Sequence, residues 1–252
     1  MYQEDTSLIE RSNIQTDAVV INQCDNNKKE YISFKNQEGV DCQVLFISTT
    51  ERGLSRSRNM AIRNATADIC LLCDDDEVFE DDYEKNITEV FENNDNLDII
   101  TFLVNCPNKK STYKSKKVGY IGAMQTASWQ IAFKRESIVD NNIQFDVCMG
   151  SGTGNGAGEE NMFLFDCLKS KLKLWYTPIL IATVAQTSSN WFKGFTNTYF
   201  SDRGWVNRRL FGVFLALIYA LYYSVTKYTL YKHENNFGNA LYYQVLGVFQ
   251  KR

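Results

Sequence analysis

Histidine is almost missing: His233 is the only one in 252 residues. A multi-histidine zinc site does not fit one late imidazole, and neither does a Ser-His-Asp triad built on an earlier stretch. A basic excess is also lacking. The formal net charge is −3, so the charge balance gives no pointer to nucleic acid. The seven cysteines (24, 42, 70, 73, 106, 148, 167) are scattered and odd in number, the usage of reduced core thiols in a cytosolic setting. Cys70 and Cys73 form a C-x-x-C, but on a strand residues three apart face opposite sides, so they are not expected to share a metal or form a redox pair. The opening Met-Tyr-Gln-Glu-Asp-Thr-Ser is polar and acidic and is no secretory signal. The glycine-rich stretch near residue 150 is not followed by the Gly-Lys-Ser/Thr of a P-loop.

What is present centres on residues 67–79. An apolar run at 69–73 ends in four consecutive acids, Asp74, Asp75, Asp76 and Glu77. A short continuous apolar run bounded by polar residues reads as a strand buried on both faces. Carboxylates at the carboxyl end of such a strand lie where open α/β sheets bind ligands. Two readings follow: a divalent-metal site of hard oxygen ligands, or a solvated acidic turn before a helix whose first turn favours negative charge.

Around this stretch, helices are expected at 6–14, 51–66, 80–93, 135–139, 162–168 and 191–199. Strands are expected at 17–22, 31–34, 43–48, 97–104, 127–133, 172–176 and 179–184. Strands alternating with helices give an α/β class with a mainly parallel sheet. Residues 105–117 carry five lysines and Pro107 and read as an exposed loop, and 186–190 as a polar turn. The helix at 51–66 begins Gly53-Leu54-Ser55-Arg56-Ser57-Arg58-Asn59. Arginines at a helix amino end oppose its dipole, so they fit either a bound anion such as a diphosphate or pairing with the nearby acids.

Glycines 150, 152, 154, 156 and 158 alternate and run straight into Glu159 and Glu160. A mobile glycine loop that delivers carboxylates suits an active site using a general base. A flexible linker before ordinary helix-start charge is the alternative. Residues 210–226 contain no formal charge, with Arg203, Arg208 and Arg209 before them and Lys227 and Lys232 after. Seventeen residues is at the short limit for a bilayer span, so the run reads as a helix in the membrane interface, against the alternatives of a span or a buried soluble contact. A further amphipathic helix follows at 237–249.

The motifs Gly53–Asn59, Cys73–Glu77 and Gly158-Glu159-Glu160, in this order and spacing, resemble the family 2 glycosyltransferases of GT-A (Rossmann-like) fold. The likeness runs over residues 6–181. It implies inverting transfer from a nucleotide-diphosphate sugar to a hydroxyl. Asp74 and Asp76 match the D-x-D motif that holds a divalent metal, Mn²⁺ or Mg²⁺, and the nucleotide, with Asp75 beside them. Arg58 and Asn59 match the helix that closes on the nucleotide, and Asp25 an acid near the base and ribose. Glu160 matches the acid that deprotonates the acceptor, with Glu159 as its neighbour; the family pattern reads Glu-Asp there, so both remain candidates. The family's opening central strand has no counterpart in this sequence, and residues 184–191 lack the histidine that often helps the metal.

The resulting expectation is a glycosyltransferase domain at 1–200 and a membrane-associating segment at 201–252. The protein is then a cytoplasmic enzyme, peripheral on the inner face of the cell membrane, and takes no nucleic acid. Its acceptor is a saccharide, lipid-linked, used in capsule, exopolysaccharide or lipopolysaccharide assembly. A nucleotidyltransferase or a degenerate membrane-bound scaffold are the rival readings.

Overall fold

The computed structural model describes residues 3, 7–106, 112–155, 157–184 and 192–252. Helix α1 (Ser7–Arg11) leads into β1 (Ala18–Gln23), β2 (Lys28–Lys35), β3 (Asp41–Thr49) and α2 (Leu54–Asn64). Next come β4 (Ile69–Leu71), β5 (Glu77–Phe79), α3 (Tyr83–Glu92), β6 (Ile99–Asn105), β7 (Lys116–Lys117) and α4 (Tyr120–Ala123). They are followed by β8 (Ile131–Lys134), α5 (Arg135–Asp140), α6 (Glu159–Lys169) and β9 (Leu174–Val184). Helices α7 (Asn197–Thr226), α8 (Tyr228–Tyr231) and α9 (Phe237–Phe249) come last. The polar turn expected at 186–190 lies outside the described residues, as do Trp191, Thr6, Gly156, Pro107 and two lysines of the basic loop.

The strands form two sheets, ordered β1-β3-β2 and β4-β8-β6-β9-β5, with β7 on β9. The α/β class holds, but the pairing is mixed where a mainly parallel sheet was expected. Among the described residues, only β1–β3 and β6–β9 pair in parallel. The reason lies in β8. It inserts between β4 and β6 and runs against both, although the helical connection through α3 leaves those two strands parallel to each other. The single strand β9 replaces the two expected around Pro178. A proline is tolerated there because its missing N–H falls at an irregularity in the β6–β9 register.

Strand β6 is the centre of the larger sheet, and Ile99, Ile100 and Phe102 are fully buried. Its successive side chains feed two cores, as strand geometry requires. Ile99 packs with Ile131, Phe133, Phe163 and Leu164 on the α6 side. Ile100 and Phe102 pack with Ile87 and Phe91 of α3 on the other. The smaller sheet has its own cluster, in which Ile9 of α1 meets Val44 and Phe46 of β3.

Among the described residues, β1 pairs only with β3 and β4 only with β8, so each strand ends its sheet. Their carboxyl ends are tied through Gln3. Its main chain exchanges hydrogen bonds with the Asn22 amide at 2.8 and 2.9 Å, and its Nε2 donates to Asp75 at 3.2 Å. The tips that carry the expected site residues are therefore brought to one end of the molecule.

Helix α7 begins four residues before the expected boundary at 201 and runs as one element through Gly212, whose φ of 79° and ψ of 173° break its helical geometry. Before this kink, Leu210 and Phe211 pack into the main core, and Arg209 pairs with Asp146. Helix α9 crosses α7 with the backbones in contact. A Cβ on Gly204 would overlap the Gln244 carbonyl oxygen, and one on Gly247 the Ser201 carbonyl oxygen. Gly247→Ala is accordingly expected to cost about 1–3 kcal/mol, the usual penalty for overpacking, read as a lower midpoint in urea unfolding.

Candidate active site

The site is assembled by one face of α2. Ser55, Arg58, Asn59 and Ile62 are its buried residues, spaced three and four apart along one stripe. The stripe is polar at its first three positions, and each polar side chain binds the segment 145–159. Ser55 Oγ donates to the Met149 carbonyl at 2.8 Å. Asn59 clamps Phe145 from both sides: its Nδ2 donates to the carbonyl and its Oδ1 accepts the N–H, each at 2.8 Å. Arg58 Nη1 donates to Glu159 Oε1 at 3.0 Å. The Leu54 N–H completes the docking with a 2.9 Å bond to the Ser151 carbonyl.

The other side of the Arg58 guanidinium reaches the acidic turn. Nη2 donates to Asp74 Oδ1 at 2.9 Å, and the group lies 5.4 Å from the Phe145 ring centre. Arg58 is only 7 % exposed, so its charge must be met inside the protein. Burial works against that charge, but the Asp74 and Glu159 carboxylates outweigh it and push the guanidinium pKa further up. Asp74 is held from two more directions. Ser128 Oγ donates to its Oδ2 at 3.1 Å, and its own N–H donates to Glu77 Oε1 at 3.0 Å. Glu77 is buried with no partner on Oε2. Desolvation, with Asp74's charge behind it, pushes the Glu77 carboxyl up to about 9.

The two glutamates of the glycine loop are treated differently. Glu159 is buried and anchored at both oxygens, Oε1 on Arg58 and Oε2 on the Gly158 N–H at 3.1 Å. Gly150 makes room for it: φ is +90°, and a Cβ there would meet the Glu159 carboxyl at 2.9 Å. Glu160 is half-buried. Desolvation first, then the Glu159 charge, push its carboxyl up to about 8, with Arg58 opposing.

The expected site residues thus fall into two groups. Arg58, Asp74 and Glu159 form one bonded chain, with Glu160 against it. Asp25 and Asp75 have other partners: Asp25 is exposed and paired with Arg52 at 2.7 Å, and exposed Asp75 accepts from Gln3. The arginines at the amino end of α2 have carboxylate partners within the protein. Arg58 pairs with the acids and Arg56 with Glu51 at 3.4 Å. The Gly53 N–H goes to Gln23 Oε1 at 2.8 Å. Asn59, expected to face nucleotide, spends its amide on Phe145. Ser128 had no signal in the sequence, and Ser55, though inside the Gly53–Asn59 motif, has its partner 94 residues away.

The donor set suits a divalent cation. Each carboxylate oxygen has two acceptor sites, so Asp74 retains one on each oxygen beyond Arg58 and Ser128. Asp76 is half-buried, and desolvation with Asp74's charge raises its pKa, a penalty a cation would relieve. No cluster of three or more metal-ligating side chains is formed among the described residues.

Two measurements check this network. Arg58→Ala leaves two carboxylates without their cation and should cost about 3–5 kcal/mol in urea unfolding, with Arg58→Lys intermediate. Glu77→Gln tests the buried acid. Its folded pKa of about 9 exceeds the ordinary 4.5, so the stability its proton brings is lost as pH rises from one to the other. The melting temperature of Glu77→Gln relative to the natural chain should therefore climb from pH 5 to pH 9.

With this geometry in place, known proteins give a consistent picture. The model of glycosyl transferase family 2 matches residues 6–155, a span that holds Asp25, Arg58, Asn59 and residues 74–76 and stops just before Glu159. No curated protein matches the chain. S. aureus TarS 1–349 in complex with UDP-GlcNAc superposes with a TM-score of 0.56 at 12 % identity, over 88 % of this chain and 66 % of that one. The mannosyltransferase PcManGT from Pyrobaculum calidifontis, in complex with GDP-Man and Mn²⁺, gives 0.53 at 13 % identity, over 99 % and 85 %. At these identities the likeness is one of fold. In a further structure of S. aureus TarS 1–349 the chain spans 65 % of that protein's length.

Proposed function

The chain belongs to glycosyl transferase family 2, and from that premise we propose that it moves a hexose from a nucleotide-diphosphate sugar to a saccharide hydroxyl with inversion at the anomeric carbon. The observation that carries this reading is the unequal treatment of the paired glutamates. Glu159 is locked to Arg58 and the Gly158 N–H, while Glu160 is desolvated with its carboxyl pushed up to about 8, near a working pH. Glu160 is the base, and Glu159 positions it.

In the reaction the acceptor oxygen forms a bond to the anomeric carbon while the bond to the diphosphate breaks on the opposite face. The acceptor proton passes to a Glu160 carboxylate oxygen, and the diphosphate leaves with the electron pair. Asp74 and Asp76 would hold a divalent ion, Mn²⁺ or Mg²⁺, which would supply Lewis-acid neutralisation of the leaving diphosphate. PcManGT, in complex with GDP-Man and Mn²⁺, supports that pairing of donor and metal by analogy of fold. Asp25 and Asp75 line the donor side, and Arg58 and Asn59 act through the loop they hold. The acceptor is a lipid-linked saccharide at the inner face of the cell membrane, in capsule or exopolysaccharide assembly. The support for that placement is the uncharged run at 210–226.

Glu160→Gln tests the base directly. Transfer should fall by about a hundred- to ten-thousand-fold. Thermal shifts with UDP or GDP plus Mn²⁺ should stay those of the natural chain, since the donor site is intact. Full transfer in this variant removes Glu160 from the role, and the absence of any metal-dependent nucleotide shift in the natural chain removes the reading itself.

A further inference from the structure

Where α9 crosses the first half of α7 the contact is small and polar: Ser201 and Gly204 meet Gln244 and Gly247. Beyond Gly212 the buried face of α7 is carried by Ala216, Ala220, Tyr223 and Ser224, and Tyr223 packs with Phe200, Tyr231 and Ala240. Gln244 is fully buried and donates Nε2 to the buried Ser224 Oγ at 2.9 Å. A second set of large apolar side chains beyond Gly212 is left exposed. Phe214 is 73 % exposed, and Ile218, Leu221 and Val225 continue its stripe at helical spacing, each more than half exposed. Tyr242 and Phe249 are exposed in the same way on α9. A helix pair that faces water does the reverse and turns its apolar stripe inward. Small residues and polar bonds at the contact, with large apolar residues outside, are the pattern of helices whose outer solvent is lipid.

Charge and length define how such a pair meets a bilayer. Residues 201–252 hold seven Lys and Arg against two Asp and Glu, a net +5, while residues 1–200 hold 20 against 28, a net −8. Arg209 and Arg252 are paired with Asp146 and Asp202, while Lys227 and Lys232 are exposed directly after the apolar stripe, the complement of an anionic lipid surface. Beyond the break at Gly212 the uncharged run 213–226 reaches about 21 Å as a helix, short of the roughly 30 Å hydrocarbon core. The turn joining the helices carries Lys227, Lys232, His233 and Glu234, which an upright hairpin would bury inside the hydrocarbon layer.

We propose that α7 beyond Gly212, together with α9, is a monotopic docking surface for an anionic lipid bilayer, lying in its plane at the boundary of headgroups and acyl chains. Phe214, Ile218, Leu221 and Val225 enter the acyl layer, and Lys227 and Lys232 meet the lipid phosphates. This inference gives the membrane association proposed above its surface and its lipid class, and it is independent of the transfer chemistry.

The test is co-sedimentation of the full chain with phosphatidylcholine vesicles, with and without phosphatidylglycerol. Binding should be about tenfold or more stronger with phosphatidylglycerol and should weaken as salt is raised. Phe214→Asp and, separately, Val225→Asp should each reduce binding about tenfold or more. Both sites are exposed, so the melting temperature and the nucleotide-induced shift should remain those of the natural chain. The double change Lys227→Glu with Lys232→Glu should remove the preference for phosphatidylglycerol. Binding to neither vesicle overturns the proposal. So does a dimer in solution that Phe214→Asp dissociates without any vesicle binding, since the stripe then belongs to a second copy.

Discussion

A buried guanidinium cannot be left without counter-charge, and Arg58 makes that requirement the organising constraint of the site. Its two faces go to Asp74, at the tip of β4, and to Glu159, at the start of α6, which is 101 residues away in sequence. Charge-assisted bonds in a dry setting are the strongest available to side chains, and the loss of one partner leaves the others stranded. The remaining contacts extend from this pair of bonds. Ser128 and the Glu77 carboxyl fix the Asp74 turn. Ser55 and Asn59 fix the loop that delivers Glu159. Glu160, next in sequence to a residue so firmly held, keeps its carboxyl in a desolvated position against a neighbouring negative charge.

Much of the fold was legible in local pattern. Helix α9 falls on the residues its periodicity marks, and β1, β3, β4 and β6 lie within a few residues of the apolar runs that announce them. These elements bury what their own sequence supplies. What could not be read depends on partners far away in the chain. The three residues of β5 look like part of an acidic turn and become a strand only because β9 lies beside them. Strand β8 is short, and nothing in its four residues says that it runs against both neighbours.

The site divides in the same way. The acidic tip, the Arg-bearing helix and the Gly-Glu-Glu loop could be found as motifs, and their convergence follows from their family. Which partner each side chain takes was not legible. Helix α2 illustrates this, since its polar stripe reads equally well as facing a ligand or facing protein. The structure gives Arg58 to two carboxylates and Asn59 to a backbone, so the motif acts as the bracket of the glycine loop. Helix α7 runs from Asn197 across residue 201 and is anchored on the main core through Leu210 and Phe211 before it kinks.

The contact of α7 with α9 has one more effect. At Gly204 and Gly247 the two main chains touch, so the spacing of the helices is set by backbone and not by side-chain volume. Exchanges among the outward residues leave that spacing as it is, whereas any side chain at either glycine forces the helices apart. Selection can therefore retune the outer face to a different environment, residue by residue, at little cost to the scaffold, while two positions with no side chain at all stay closed to change.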